Sequence, residues 1–308
     1  MNKKIWTILA ANLILLIAVV MFLFDPDKSE DNEISTPLIN VPVVSKQGWR
    51  KTKTIEVSSK TASSLAFDDK YIYIGDADGV ATYYKGKQIL HIELPSKVVA
   101  ITPAKNVFFY YAATARMIVF SDGKTIDKWP KMDSQSTITA LTMSGGKLFV
   151  ADAGKRKVYC YSVSGKKLWE INGNGEDKFI IPSPYFDLSP DGDGGIWVVN
   201  PGRHRVENYT AEGKFKASWE PVPKNTMLGC CNPAYLGVLS GDRFVSLEKG
   251  LVRSRLFAPS GKIIEYLVPE NNFSQGEFRY DLAVLPGNKV AILDGPRNKI
   301  DIYEQRAK

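Results

Sequence analysis

The chain has 308 residues, with 40 Lys and Arg against 33 Asp and Glu for a net charge of +7, and it holds 2 histidines. Two histidines exclude a three-histidine zinc centre. The positive excess is spread thinly rather than gathered in a Lys/Arg block, which argues against nucleic-acid binding.

Residues 5–24, IWTILAANLILLIAVVMFLF, are uncharged and largely apolar behind Lys3 and Lys4. At about 1.5 Å of rise per residue such a helix spans about 30 Å, the thickness of a bilayer core. Asp25, Asp27, Glu30, Asp31 and Glu33 crowd the far end, so the positive-inside rule places the N-terminus in the cytoplasm and the rest outside. The run ends in VVMFLFDPD, without a small-x-small cleavage site or a lipobox cysteine, which favours an uncleaved anchor over a signal peptide. The expected layout is a transmembrane signal anchor over 1–24, an acidic, proline-punctuated tether over 25–48 and a folded domain over 49–308. The expected location is the cell membrane, single-pass, with the domain extracytoplasmic. With Lys3 and Lys4 set aside, 38 basic and 33 acidic residues leave +5 outside, consistent with loose attraction to anionic headgroups or cell-wall polymer.

Beyond the tether the chain predicts short alternating strands separated by Gly, Asp, Asn and Pro turns. Six segments align, opening at Ser64, Val98, Ile138, Tyr185, Tyr235 and Tyr280. Each runs an apolar second strand into a polar residue: Asp76, Thr114, Asp152, Asn200, Glu248 and Asp294, spaced 38, 38, 48, 48 and 46 apart. A period of about 40–50 with four strands per unit predicts an all-β, six-bladed β-propeller. The sixth unit runs out after three strands, and the surplus strand at 51–58 is the expected partner for its open edge.

KLFVADAGKRKVYCYSVSGKK and GIWVVNPGRHRVENYTAEGK resemble the NHL-repeat family of propellers, and INGNGEDKFIIPSPYFDLSPDG is similar to its Gly-rich connector. The resemblance implies the propeller fold but no single activity, because NHL-like propellers serve as protein platforms, RNA binders, lyases and lactonases. GCCNP at 229–233, followed by EKG at 248–250, is similar to a motif of membrane-anchored bacterial NHL-like proteins.

Adjacent cysteines have Cα atoms about 3.8 Å apart, below the usual range of about 4.4–6.8 Å for a disulfide. Cys230 and Cys231 therefore carry three readings: a strained vicinal disulfide, a dithiol that exchanges electrons or holds a thiophilic metal, or two small buried residues. Cys160, in KVYCYSV, reads as a half-buried strand residue. Arg253 and Arg255 alternate onto one strand face, with Glu248 and Lys249 beside them and Arg203 and Arg205 at the corresponding place one unit earlier. Such forks suit a carboxylate or phosphate partner, or else pair with nearby acids as ordinary surface charges. Asp152, Asn200, Glu248 and Asp294 are the candidate metal ligands, with calcium the cation considered, although residues of this kind more often bond their own turns. DGDGG at 191–195 lacks the later ligands of an EF-hand loop and reads as a turn. No G-x-S-x-G or H-E-x-x-H occurs.

The sequence thus predicts a non-enzymatic platform, without a required cofactor, that binds a protein partner or surface ligand through Cys230, Cys231, Asn232, Glu248, Lys249, Arg253 and Arg255, with Arg203 and Arg205 adjacent. An extracytoplasmic redox or metal-binding protein using the cysteine pair is the alternative. A lactonase-like or lyase-like enzyme on the same scaffold comes third, weakened by the missing histidines.

Overall fold

A computed structural model describes residues 48–104, 107–112, 116–121, 124–126, 129, 132–224, 226–274 and 278–306, with backbone alone over 107–126. The expected anchor and all of the expected tether but Gly48 lie outside these residues, as does Thr114. Among the described residues no helix is long and apolar enough to cross a membrane.

Among the described residues the strands form six four-stranded antiparallel sheets and one two-stranded ribbon. Five of the four-stranded sheets are each made from four consecutive strands. Blade 1 comprises Ser64–Phe67, Tyr71–Gly75, Gly79–Tyr84 and Lys87–Glu93. Blade 2 comprises Val98–Ala104, Val107–Ala112, Arg116–Ser121 and Lys124–Ile126, and blade 3 Ile138–Ser144, Lys147–Asp152, Lys157–Ser162 and Lys167–Ile171. The ribbon, Gly173–Asn174 with Asp177–Lys178, precedes blade 4, which comprises Leu188–Pro190, Ile196–Asn200, Arg205–Tyr209 and Phe215–Trp219. Blade 5 comprises Tyr235–Leu239, Arg243–Glu248, Arg253–Phe257 and Ile263–Val268. The last sheet is composite: Tyr280–Leu285, Lys289–Asp294 and Lys299–Gln305 are joined by Trp49–Glu56 from the start of the domain.

First strands of successive sheets are neighbours, and that of the last returns to that of blade 1, so the sheets close a β-propeller around a central shaft. Trp49 pairs with Gln305 and Glu56 with Lys299, while Val57 and Arg306 donate backbone N–H groups to Asn298 O at 2.8 Å and Gly48 O at 2.6 Å. The two ends of the domain are thereby hydrogen-bonded along one edge that would otherwise be open.

Where side chains are described, middle strands are largely buried on both faces because each blade packs between two others. Leu148 to Asp152 and Arg253 to Phe257 are buried throughout, whereas the outer strand Lys87–Glu93 is largely exposed. Apolar clusters straddle neighbouring sheets: Phe149 and Cys160 of blade 3 pack with Ile196 and Val198 of blade 4, and Leu247 and Leu256 of blade 5 with Val290 and Ile292 of the last sheet. Each such fully buried side chain contributes about 1.5–3 kcal/mol. Cys160 is fully buried rather than half-buried, and burial pushes its thiol up to about 11.

Second and third strands meet at turns on one face of the ring, and the same face holds the N-terminal ends of the first strands. Pairing fixes this arrangement, since Tyr235 lies opposite Leu247 and Tyr280 opposite Asp294.

Candidate functional site

The GCCNP loop lies on that face, tied down by its asparagine. Gly229 takes a φ of +81°, a conformation that favours glycine, and its carbonyl accepts a hydrogen bond from His204 Nε2 at 2.7 Å. Asn232 is buried; its Nδ2 donates to Leu228 O and, at 2.8 Å, to Lys249 O, while its Oδ1 accepts from Lys249 N at 2.6 Å. One amide therefore satisfies three backbone groups and locks the loop to the second turn of blade 5. The following Asn232–Pro233 peptide bond is cis.

The two thiols are unbonded, with Sγ atoms 3.1 Å apart. Cys231 is buried and accepts a hydrogen bond from Ser183 Oγ at 2.8 Å, whereas Cys230 is exposed. Hydrogen bonding to Cys231 raises the Cys230 thiol above its ordinary range, with nearby Lys249 acting in the opposite sense. Exposed Leu228 belongs to the same loop and exposed Leu251 to the Lys249 turn that Asn232 holds, while exposed Ile180 donates its backbone N–H to Asn200 of blade 4. Lys249 Nζ sits 4.4 Å from the ring centre of Tyr185, which meets Phe278 edge-on at 5.4 Å and Tyr235 at 6.4 Å. Those rings lead from the loop to the mouth of the shaft.

The arginines take a different place from the one expected. Arg253 and Arg255 share a face, as their alternation requires, but that face is interior: they are 6% and 0% exposed, and Glu248 is 1% exposed. Glu248 Oε2 accepts from Arg253 Nε at 3.0 Å and Arg255 Nη2 at 2.8 Å, and its Oε1 from Arg255 Nε at 2.6 Å and Ser246 Oγ at 2.9 Å. Thr226 O accepts from both guanidinium groups, at 2.8 and 3.1 Å. Central strands of a blade are covered on both sides, so charges placed there must be paired internally rather than offered to a partner. Glu248, Arg253 and Arg255 are thus corrected from contact residues to a buried network that supports the Lys249 turn. Arg205 is half-buried, held by Glu220 at 2.8 Å and Asp177 at 3.2 Å, and Arg203 lies 3.4 Å from Asp177.

The candidate metal ligands are committed to their own blades. Asp152 Oδ1 accepts from Thr137 N and Lys155 N at 2.9 and 3.0 Å, and Asn200 links Ile180 N to Glu207 at 2.9 and 2.8 Å. Asp294 Oδ1 accepts from Arg297 N at 3.2 Å. Facing successive turns around a ring, these groups do not converge on one point. Asp191 likewise caps its turn, accepting from Asp193 N and Gly195 N at 2.8 Å.

Two residues of the shaft escaped the sequence reading. Asp187 and Asp281 line a cavity of about 350 Å³ with Tyr235, Thr102, Thr139 and Thr142. Asp187 Oδ2 accepts from Leu236 N at 2.7 Å and Asp281 Oδ2 from Leu65 N at 2.6 Å, so each carboxylate latches the next blade. Desolvation in the narrow shaft pushes Asp187 up to about 7, and Asp281 is raised by burial and by the charge of Asp187. The available signal was the Asp-Leu pair opening the first strands in YFDL and RYDL.

A family model, described as outer membrane protein assembly factor BamB, matches residues 43–172. That description differs from the NHL resemblance read from the motifs. No curated protein matches. Among solved structures, the chain is similar to a streptogramin B lyase at 12% identity and TM-score 0.58, covering 84% of this chain and 98% of that one. It is also similar to the WD40 propeller domain of Doa1, at 11% identity and TM-score 0.57 over 84% and 98% of the two chains. Virginiamycin B lyase from Staphylococcus aureus aligns at 15% identity and TM-score 0.56 over 84% and 90%. These likenesses, together with the closed ring of sheets, place the chain among the β-propellers.

Proposed function

We propose that the protein is a membrane-anchored, extracytoplasmic propeller that binds a protein partner through the face carrying the GCCNP loop. Residues 5–24 would hold it to the bilayer. The observation that carries this reading is a rigid, exposed contact point: Cys230 stands free on a loop pinned by Asn232, with exposed Leu228 on the same loop and exposed Leu251 in the Lys249 turn to which Asn232 is bonded. Apolar side chains held outward on a fixed loop gain contact area without an ordering cost on binding. The match of residues 43–172 to a family named for outer-membrane protein assembly favours a protein partner over a small ligand. A crosslinker placed on Cys230 in intact membranes is expected to give one discrete adduct, which Leu228→Asp with Leu251→Asp abolishes while the thermal unfolding midpoint stays unchanged. An adduct pattern indifferent to that double substitution sinks the reading.

The Sγ separation of 3.1 Å supports a second reading, in which the pair exchanges with a disulfide-bearing partner. Two thiols would lose two protons and two electrons to form the vicinal bond, and the partner's disulfide would be reduced to two thiols. Thiol titration with and without reductant separates the two: a pair that stays reduced in a disulfide buffer leaves only the platform. A lyase-like or lactonase-like activity draws least support, because His91 and His204 stand in different blades and likeness of fold does not carry chemistry.

A further inference from the structure

In four blades the polar residue closing the second strand faces a cation at the start of the third. Lys157 stands opposite Asp152, Arg205 opposite Asn200, Arg253 opposite Glu248 and Lys299 opposite Asp294. Blade 1 breaks the pattern. There Asp76 donates its backbone N–H to Gly79 O at 3.1 Å, so a glycine holds the cation's place. A Cβ on Gly79 would lie 1.9 Å from Ile92 O and 3.2 Å from His91 Cε1, so the missing side chain lets the outer strand bring His91 inward.

His91 Nε2 lies 3.5 Å from Asp76 Oδ2 and 4.0 Å from Asp78 Oδ1, and the three donor atoms are all within 4.8 Å of one another. Ligand distances of about 2.0–2.2 Å in a tetrahedral zinc site put donors about 3.3 Å apart, so closure from separations of at most 4.8 Å needs a shift of no more than about 1.5 Å. Exposed Asp78 can supply that shift, since its side chain is 76% open to solvent. Asp76, by contrast, is fixed and 1% exposed. Its Oδ1 accepts from Asp78 N at 3.2 Å, which keeps the two carboxylates side by side. A cavity of about 320 Å³ opens beside the three groups, lined also by Ser59, Lys60, Thr61 and Gln88.

We propose that Asp76, Asp78 and His91 form a binding site for a divalent transition cation of the zinc type, with a coordination position left open toward that cavity. One imidazole and two carboxylates suit zinc and its first-row neighbours, whereas calcium requires six or more oxygens. Three protein ligands and an open position are the arrangement of zinc sites that accept water or an anionic ligand. This site is independent of the platform reading.

The test uses full-length chain with Cys230→Ser and Cys231→Ser, so that the dithiol cannot compete for metal. Calorimetric titration with Zn²⁺ is expected to show one equivalent bound, and Asp78→Asn or His91→Ala should each weaken it at least about tenfold with the fold intact by circular dichroism. Co²⁺ in place of Zn²⁺ should give visible d–d absorption without thiolate charge transfer. Absence of Zn²⁺ uptake, uptake indifferent to His91→Ala, or Ca²⁺ bound as tightly as Zn²⁺ overturns the proposal.

Discussion

Blades 1 and 5 place a buried carboxylate at the same corner and balance it in opposite ways. Glu248 meets two guanidinium groups whose side chains fill the middle of the blade, and its corner is closed and rigid. Asp76 meets a glycine, a histidine and a second carboxylate, and its corner stays open to a cavity. The same repeat position is therefore structural where the chain supplies a permanent cation and ligand-seeking where it does not. Asp187 and Asp281 in the shaft are an intermediate case: carboxylates without a cation, satisfied by backbone N–H donors of the next blade.

Removing the balance at the closed corner should have the largest effect. Glu248→Ala would strand two buried guanidinium groups and is expected to cost about 3–5 kcal/mol in urea unfolding, against less than about 1 kcal/mol for Asp76→Asn in metal-free protein. Equal losses at the two sites would break the comparison.

A second effect is set by pH. The Asp187 carboxyl is pushed up to about 7 in the folded chain, from 3.8 when free. Between these values the native state keeps a proton that the unfolded chain releases, so this contribution is complete below about pH 4 and is lost as pH rises through about 7. Asp187→Asn should flatten the decline of the unfolding midpoint over that interval; an unaltered slope would show that the shaft carboxylates are already balanced. The smallest effect concerns the loop seated on the closed corner. Cys231→Ala removes the hydrogen bond that raises the Cys230 thiol, so alkylation of Cys230 at neutral pH should quicken modestly, by rate measurement with iodoacetamide.

Much of the architecture was legible because a propeller writes its repeat into the chain: alternation marks each strand, and one polar residue marks each corner. The joining of residues near 51 to the last sheet was likewise legible from a missing strand. What alternation could not convey was which face of a middle strand is exposed. Arg253 and Arg255 look like a surface pair in sequence, yet both faces of their strand are covered by neighbouring blades. Nor could it bring His91 to Asp76, since that meeting depends on a glycine 12 residues before the histidine and on the outer strand folding back across it.

The sequence by itself determined the all-β class, the repeat register and the GCCNP loop as a distinctive element, because these rest on local periodicity and turn chemistry. Only the tertiary structure decided which charges are buried, which carboxylates are left without a cation, and that Asn232 rather than an arginine holds the exposed cysteine in place. Burial and pairing are properties of neighbours distant in the chain, and a single strand does not encode what packs against it.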